Sequence, residues 1–353
     1  MSLTPRDRVP LAPLTTLGVG GDARYLVDGT DDATIVAALG WARQRGVPCR
    51  ILGGGSNVIV PDEGFDGLVL CMRARGATWT QEGSHVILEA RAGEPWDDLV
   101  AESVRRNCQG LECLSGIPGL VGATPIQNVG AYGQEVAETI RSVRVLDRSS
   151  LDVSSLHPER LGFAYRDSVF KSSEPERYVV LGVTFCLSLG APPAVRYPEL
   201  ERRLAERIPA TKGHSLAEVR KTVLELRAKK SMVLDPGDEN GRSCGSFFVN
   251  PVVSTEQAKA LEQRLAAPGM PRYPQPDGRV KLAAGWLIEQ AGFTKGTRRG
   301  PVGLSTKHAL AIVCHEGATA TLVAAFAAEI RATVQARFGI QLTPEPVSFG
   351  REA

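Results

Sequence analysis

The stretch that decides the fold is Ile51-Leu52-Gly53-Gly54-Gly55-Ser56-Asn57-Val58-Ile59-Val60, in which three consecutive glycines and two small polar residues stand between two short β-branched runs. Because glycine has no Cβ, successive backbone N–H groups can turn toward one point and form a nest for an anion. The stretch therefore predicts a site for a phosphate or pyrophosphate. The plain alternative is a tight connection between two strands.

Two well-known phosphate-binding motifs do not describe this loop. The dinucleotide fingerprint G-x-G-x-x-G requires a helix after its glycines, whereas residues 58–60 predict another strand. A P-loop requires a lysine followed by serine or threonine after its last glycine, and Ser56-Asn57 stands there instead. The loop is therefore neither a dinucleotide fingerprint nor a P-loop.

The residues before the loop predict a β-α-β unit. Residues 23–27 alternate as a strand does, Asp31-Asp32 can cap a helix that ends at Gly46, and residues 50–52 begin the next strand. A helical crossover of this length implies that the two strands form a parallel pair.

A second unusual stretch lies between Gly110 and Gly133, with six glycines, two prolines and few charges. A long irregular segment inside a compact domain is usually functional or disordered. The low charge and the apolar residues of this one argue against disorder. We expect its backbone to pack closely against a large flat ligand; a buried, glycine-dense crossing between two domains is the alternative.

Farther along, periodicity predicts a series of regular elements. We expect strands at 67–70, 86–90, 142–147, 178–189 and 309–314, and helices at 96–106, 216–230, 255–266, 283–291 and 318–338. The strands 142–147 and 178–189 should be antiparallel. A turn-rich linker, 235–241, follows the helix 216–230, and we place the main domain boundary just before that helix.

Length and composition exclude several classes of protein. A chain of 353 residues is too long for one ordinary core and predicts two or three domains. A net charge of +2 gives no electrostatic argument for nucleic-acid binding, and no apolar run or leader predicts a membrane span or a signal peptide. Seven dispersed cysteines and five dispersed histidines fit neither a metal site nor a disulfide framework, so we expect reduced thiols.

Three side chains in the second half of the chain could carry chemistry, and each also has an ordinary explanation. The forked guanidinium of Arg166 can clamp a carboxylate, or it can form a structural ion pair with Asp167 or another acid. Ser246 can donate a proton in a dry pocket, or it is a turn serine that begins a strand. Glu345 stands between two prolines in a rigid stretch, or it is a solvated terminal carboxylate.

Taken together, these motifs resemble the UDP-N-acetylenolpyruvoylglucosamine reductases, the FAD enzymes that complete UDP-N-acetylmuramate in peptidoglycan synthesis. The matching stretches, 16–21, 51–60, 117–133, 165–171, 245–251 and 281–290, run in the family's order over nearly the whole chain. Each stretch alone is modest evidence, but the ordered set is specific. The resemblance implies an α+β fold, in which a two-lobed FAD-binding domain of the vanillyl-alcohol-oxidase-like type precedes a smaller α/β substrate-binding domain.

The resemblance also assigns regions and residues. Residues 1–70 and 71–213 are expected to form the two FAD-binding lobes, and 214–353 the substrate-binding domain with the catalytic C-terminal segment. Non-covalent FAD is expected to contact Gly53, Gly54, Gly55, Ser56, Asn57, Ala123, Thr124, Gln127, Asn128, Gly130, Ala131 and Tyr132. The substrate is expected to contact Tyr197, on the capping loop of the family's long form, and Lys230, Asn250 and Gln290, which match positions at the nucleotide diphosphate.

The reaction that the resemblance implies gives the three weak candidates a joint role. NADPH reduces FAD and leaves, the enolpyruvyl nucleotide sugar enters the same cleft, and hydride passes from flavin N5 to the terminal carbon of the enol ether. Arg166 then polarises the carboxylate, and Glu345 acts in its protonated form. Ser246 protonates the neighbouring carbon. The expected protein is a cytoplasmic monomer that binds no nucleic acid and no membrane.

Several alternatives stay open at this point. Cys244 is a rival proton donor, and Thr343 and Val347 stand where the family commonly has glutamate and arginine. The main alternative function is an alcohol or lactone oxidase of the same fold. It predicts covalent flavin attachment near the glycine loop, where the nearest cysteine is Cys49 and no histidine lies within residues 1–84. A nucleotide-sugar-binding protein that has lost catalysis would lack one of the three candidates, and all are present.

Overall fold

The computed structural model describes residues 3–207, 213–265, 267, 269–275 and 277–350, and the chain divides into two compact units. The first unit comprises Met1–Val9, Ala23–Gly54 and Asp66–Leu234, and the second comprises Pro10–Asp22, Gly55–Phe65 and Asp235–Ala353. The chain thus passes from one unit to the other inside the glycine loop. The helix that we expected to open the domain 214–353 belongs to the first unit; the division into 1–70, 71–213 and 214–353 stays a prediction.

Helices and strands alternate irregularly along the chain, as the predicted α+β class requires. The helices are α1 (Asp32–Arg45), α2 (Trp96–Arg105), α3 (Pro158–Leu161), α4 (Pro198–Ala205), α5 (Leu216–Ala228), α6 (Thr255–Leu265), α7 (Ala284–Gln290) and α8 (Ala320–Phe338). The strands are β1 (Arg6–Pro10), β2 (Asp22–Gly29), β3 (Cys49–Leu52), β4 (Val58–Ile59), β5 (Phe65–Met72), β6 (Ala77–Glu82), β7 (His85–Arg91), β8 (Cys108–Gln109), β9 (Gly130–Ala131), β10 (Gln134–Glu135), β11 (Ile140–Asp147), β12 (Val153–Leu156), β13 (Tyr178–Leu189), β14 (Val252–Val253), β15 (Arg272–Pro274), β16 (Val280–Leu282), β17 (Arg298–Arg299), β18 (Val302–Leu304), β19 (Ile312–Cys314) and β20 (Val347–Ser348).

The predicted helix before the glycine loop is confirmed, but the strand pairing beside it is wrong. The Asp31 carboxylate accepts a hydrogen bond from the N–H of Thr34 at 2.7 Å and begins α1, and Gly46, with φ of +62°, ends it. The sheet order is β1-β2-β5-β3, so β5 separates the two strands of the β-α-β unit. β3 is parallel to β5. Because β5 is buried over its last six residues, it takes the inner position in this sheet.

The larger sheet of the first unit has the order β12-β11-β13-β7-β6, with β8 also paired to β13. The predicted antiparallel pair is confirmed, since Val143 of β11 lies opposite Val183 of β13. Trp96 of α2 and Phe185 of β13 are both fully buried, with ring centroids 5.9 Å apart. This contact packs α2 against the sheet and places the core of the unit between them.

The second unit gathers three separate stretches of chain around α7 and α8. Its sheets are small: β14-β16-β15, β17-β18-β19, and the two-stranded parallel pair of β20 with β4. The predicted strand 309–314 forms only at Ile312–Cys314, whereas the predicted helix 318–338 forms almost in full, as α8. Buried side chains from the N-terminal stretch, Leu17 and Val19, join the same core as Phe247 and Phe248.

Candidate active site

Ser246 and Glu345, two of the predicted catalytic residues, lie on neighbouring segments of the second unit. The N–H of Glu345 donates to the carbonyl of Phe247 at 2.9 Å, and Phe248 pairs with Pro344 in an antiparallel bridge. The two phenylalanines are buried, whereas Ser246 and Glu345 are half-buried. The apolar residues therefore anchor this segment and leave the hydroxyl and the carboxyl at its partly open side.

The segment that carries Glu345 is held by its backbone. The carbonyl of Thr343 accepts from the N–H of Val249 at 3.0 Å, and the N–H of Val347 donates to the carbonyl of Asn57 at 3.0 Å. The Asn57 side-chain amide also donates to the carbonyl of Glu345 at 3.2 Å. Since Thr343 and Val347 act through main-chain atoms, their departure from the family's usual side chains leaves the course of this segment intact.

Cys244 has the environment of a core thiol. It is buried, and its thiol donates to the carbonyl of Val58 at 3.6 Å. Burial raises the pKa of Cys244 to about 12, and the nearby Cys314 and Glu345 shift it in the same direction. Ser246, by contrast, is half-buried, and its hydroxyl makes no hydrogen bond within the described part of the chain. The geometry favours Ser246 over Cys244 as the group that can turn to a substrate.

Arg166 lies in the first unit, at the tip of a tight turn. Ala164 and Asp167 exchange two backbone hydrogen bonds of 3.1 Å around it, and the Lys171 ammonium donates to the carbonyl of Arg166 at 2.9 Å. Arg166 itself has φ of +54°, a left-handed conformation that side chains rarely adopt. Such a conformation persists only where its surroundings fix it, and it is typical of functional sites.

The guanidinium of Arg166 points at the glycine-rich segment 117–133. It donates to the carbonyl of Gly130 at 2.5 Å and to the carbonyl of Asn128 at 3.3 Å, and it lies 5.3 Å from the centre of the Tyr165 ring. The structure therefore joins two stretches that the sequence singled out separately. These contacts fix the direction of the cation.

The Asn128 side chain holds the turn that carries Arg166. Its side-chain amide donates to the carbonyl of Ala164 at 3.1 Å and to the carboxylate of Glu135 at 2.7 Å, while its oxygen accepts from the N–H of Ala137 at 3.2 Å. The residue is 1% exposed and has φ of +43°. Its side chain thus positions the turn of Arg166, and a contact between Asn128 and FAD stays a prediction.

Gly53 and Gly54, two predicted FAD contacts, lie beside the second glycine-rich stretch. A Cβ at Gly53 would meet only the Ala123 methyl group, at 4.0 Å, so packing inside the protein does not require glycine there. A Cβ at Gly54 would lie 2.7 Å from the Cα of Gly119, so the two glycine-rich stretches touch backbone to backbone. Ala123 and Ile126, both of the second stretch, are exposed. Exposed apolar side chains in the stretch that meets a bare glycine backbone fit a flat ring system with phosphates.

Some of the predicted cofactor residues also have a packing role. A Cβ at Gly55 would collide with the carbonyl oxygen of Leu14, and Gly55 has φ of +66°. Thr124 is buried and donates its hydroxyl proton to the carbonyl of Val121 at 2.8 Å. The remaining predicted contacts, Ser56, Gln127, Gly130, Ala131 and Tyr132, are half-buried. These positions are partly accessible, and their contacts with FAD stay a prediction.

Lys230 and Tyr197 belong to one cluster in the first unit, which we call the Lys230 cluster: Tyr132, Tyr197, Glu199 and Lys230. The rings of Tyr132 and Tyr197 meet edge to face with centroids 5.3 Å apart, and the ammonium of Lys230 lies 5.8 Å from the centre of the Tyr132 ring. Burial raises the pKa of Tyr132 to about 12. Glu199 was not singled out from the sequence, because nothing in its spacing points to Lys230.

Asn250 and Gln290 lie at opposite ends of α7 in the second unit. The side-chain oxygen of Asn250 accepts from the N–H of Ala284 at 2.9 Å, which leaves its amide group to reach a ligand. Gln290 is the last residue of the helix and is exposed. A helix of this length places the two about 9 Å apart along its axis. Their joint contact with one diphosphate stays a prediction.

All seven cysteines are free, and burial raises the pKa of Cys49, the thiol nearest the glycine loop, to about 11. Within the described ranges, no group of three or more histidine, cysteine or acidic side chains could hold a metal ion. No helix in those ranges is both long and apolar enough to cross a bilayer.

Comparison with known proteins agrees with this arrangement. Residues 235–349 match the family described as UDP-N-acetylenolpyruvoylglucosamine reductase, C-terminal domain, and residues 23–150 match the FAD binding domain. The chain is 47% identical to the UDP-N-acetylenolpyruvoylglucosamine reductase of Streptomyces coelicolor, over 97% of this chain and 89% of that protein. It is 48% identical to the reductase of Nocardia farcinica, over 98% and 90% of the two chains.

A solved structure gives the same result for the fold. The UDP-N-acetylenolpyruvylglucosamine reductase of Thermus caldophilus matches with a TM-score of 0.65 at 27% identity, over 98% of this chain and 99% of that one. The match extends through both units, and the predicted fold class is confirmed. The chain therefore belongs to the UDP-N-acetylenolpyruvoylglucosamine reductase family.

Proposed function

We propose that this chain reduces the enolpyruvyl group of UDP-N-acetyl-3-O-(1-carboxyvinyl)-glucosamine to give UDP-N-acetylmuramate, with NADPH as the hydride donor, in peptidoglycan precursor synthesis. As a member of its family, the chain is an FAD-dependent oxidoreductase. Bound FAD would carry hydride from NADPH to the terminal carbon of the enolpyruvyl double bond. Among the residues, the pairing of the Ser246 and Glu345 segments carries the proposal.

The chemistry of this reduction assigns a task to each candidate. Hydride addition leaves negative charge on the carbon next to the substrate carboxylate, so the reaction needs a charge stabiliser and a proton donor. Arg166 is assigned to the carboxylate, because its fork suits two oxygens and its direction is already fixed. Glu345 is assigned to the same charge in its protonated form, since a second carboxylate would repel it.

Ser246 is assigned as the proton donor to that carbon. Its hydroxyl has no competing hydrogen bond among the described residues, and the fully packed Phe247 next to it fixes the backbone. A serine hydroxyl is a weak acid, so it works only when hydrogen-bonded neighbours stabilise the oxygen that remains. The half-buried carboxyl of Glu345 on the adjacent segment is the group we assign to that support.

The finer assignments of cofactor, location and assembly complete the proposal. Ser56, Asn57 and the glycines 53–55 are proposed to meet the FAD pyrophosphate, and residues 123–132 its flavin ring. We infer that the protein works in the cytoplasm, where NADPH and nucleotide sugars are made, and that it is a monomer without nucleic-acid or membrane partners. Light scattering during size-exclusion chromatography would give about one chain mass for a monomer and twice that mass for a dimer.

The visible spectrum of the purified protein is the first experiment. We expect a bound oxidised flavin that NADPH bleaches in a stopped-flow instrument, and that the enolpyruvyl nucleotide sugar restores. Failure to bind FAD on reconstitution would contradict the proposal. So would a reduced flavin that the substrate cannot reoxidise.

The proton donor is tested with two variants. Ser246→Ala should leave reduction by NADPH within about twofold of the parent rate and slow reoxidation by substrate at least 100-fold, because general-acid catalysis contributes about 10² to 10⁴. Cys244→Ser is the matched control and should reoxidise at nearly the parent rate. The reverse pattern would assign the proton to Cys244.

A further inference from the structure

Glu199 forms an ion pair with Lys230 at the position proposed for the nucleotide diphosphate. The Lys230 ammonium lies 2.7 Å from a carboxylate oxygen of Glu199, and the two side chains are 32% and 31% exposed. The ammonium also faces the ring of Tyr132. Lys230 is thus already bound on one side by an anion and on another by an aromatic ring.

This ion pair joins two helices that are packed firmly together. Glu199 stands in the first turn of α4, whose Leu200 and Leu204 are fully buried with Val219 and Val223 of α5. Lys230 comes two residues after α5 ends, and the next residue, Ser231, is buried with φ of +55°. Because both partners are fixed through the backbone, the pair differs from a mobile surface ion pair, whose value is small.

We propose that Glu199 is a positioning residue for Lys230, which it holds in place until the diphosphate of the nucleotide sugar displaces its carboxylate from the ammonium. This inference rests on the proposed function. A diphosphate brings at least two negative charges to Lys230, and a carboxylate that stayed within hydrogen-bond distance would repel them. The negative charge of Glu199 opposes binding of the diphosphate, whereas the orientation that Glu199 gives to Lys230 favours it. Glu199 would therefore affect the affinity of the site in two opposite ways.

The two effects can be separated by substitution. Glu199→Gln keeps an oxygen that can accept from the ammonium but removes the charge, whereas Glu199→Ala removes both. Glu201→Gln is the matched control, since Glu201 is an exposed acid in the first turn of the same helix. The measurements are calorimetric binding of UDP to the FAD-loaded protein and the KM and kcat of the full reaction.

We expect Glu199→Gln to bind UDP about three- to tenfold more tightly than the parent and to lower KM, with kcat within twofold. Glu199→Ala should bind UDP at least threefold more weakly than Glu199→Gln, and Glu201→Gln should match the parent. Unchanged or weaker binding in Glu199→Gln would overturn the displacement, and equal affinities of the Gln and Ala variants would overturn the positioning role.

A third variant, Glu199→Asp, keeps the negative charge and serves as the control for effects on folding. Glu199→Asp withdraws the carboxylate from Lys230 by one methylene and should bind UDP more weakly than Glu199→Gln; equal binding would also overturn the inference. Melting temperatures show whether the helices stay packed. Failure of the parent protein to turn over the enolpyruvyl substrate would contradict the proposed function instead, because UDP binding is measured without turnover.

Discussion

The side-chain amide of Asn57 donates a hydrogen bond to the main-chain carbonyl of Glu345, with 3.2 Å between Nδ2 and the oxygen, across 288 positions of sequence. The backbone carbonyl of Asn57 receives a second bond, from the N–H of Val347. One residue at the end of the glycine loop therefore holds the backbone at and just after the proposed catalytic glutamate, whose N–H is held by Phe247. Asn57 was predicted to contact the cofactor, and the structure gives it this additional task.

Asn57→Ala should therefore slow the second half of the reaction more than the first. We expect reoxidation of the flavin by substrate to fall about tenfold, as for the loss of one hydrogen bond of about 1.4 kcal/mol, and reduction by NADPH to change by less than twofold. Stopped-flow absorbance at saturating FAD measures both rates. Equal slowing of the two steps would mean that Asn57 acts through the cofactor alone.

Alanine at Gly54 should lower the stability of the protein, whereas alanine at the adjacent Gly53 should lower its affinity for FAD. Gly54→Ala forces a methyl group against the backbone of Gly119 and should destabilise the protein by about 1–3 kcal/mol. Gly53→Ala meets only the Ala123 methyl, so the FAD-free protein should melt within about 1 °C of the parent while its affinity for FAD falls at least tenfold. Thermal melting and fluorescence titration with FAD test this. Normal FAD binding by Gly53→Ala would contradict the cofactor position.

Asn128→Ala should damage both stability and catalysis. The substitution removes the three hydrogen bonds of a buried side chain, to the N–H of Ala137, the carbonyl of Ala164 and the carboxylate of Glu135, which costs about 2–4 kcal/mol of unfolding free energy. The turn that holds Arg166 loses its support at the same time, so reoxidation by substrate should slow. Urea denaturation and stopped-flow rates are the measurements. A variant as stable as the parent would show that Asn128 does not support the turn.

Asp97 should make the stability of the first unit depend on acid pH. Burial alone would raise its pKa, but two hydrogen bonds from Arg220 and one from the N–H of Gly116 outweigh burial and leave the pKa of Asp97 below its ordinary value. A carboxyl with a depressed folded pKa stabilises the fold above its unfolded pKa of about 3.9 and loses that contribution as pH falls further. The group is partly exposed, so the effect is modest.

The measurement for Asp97 is the melting temperature between pH 6 and pH 3. Asp97→Asn should melt below the parent at pH 6, and the difference should shrink as pH falls toward 3. Asp98→Asn, at an exposed position of the same helical turn, is the control and should follow the parent. A difference between Asp97→Asn and the parent that stays constant with pH would exclude this linkage.

Local signals in the sequence predicted helices better than strand order. Asp31 and Gly46 mark the two ends of α1 because a side-chain cap and a left-handed glycine act within one turn. The position of β5 between β2 and β3 depends on which strand is most buried in the finished sheet, and no nearby residue encodes it. Strand order is a property of the whole unit, so periodicity alone led to the wrong neighbour.

Only part of the candidate site could be predicted, again because some of its contacts depend on the folded unit and not on nearby sequence. Ser246, Arg166 and Glu345 were identified through the ordered motifs of a family, since their individual signals were weak. The sequence could not show that Asn128 holds the turn of Arg166, or that Glu199 binds Lys230, because these are contacts between side chains whose neighbours are set by packing. Only the folded chain gives such residues a role.

The pairing of β20 with β4 also determines when the second unit can finish folding during translation. Residues 10–22 and 55–65 leave the ribosome early, yet the core that buries Leu17 and Val19 is supplied mainly by residues after 234. Those apolar side chains stay without these partners until the whole of the first unit has been translated. A nascent chain stopped before Val347 would lack the strand that binds β4. The second unit is therefore complete only after Ser348 has left the ribosome.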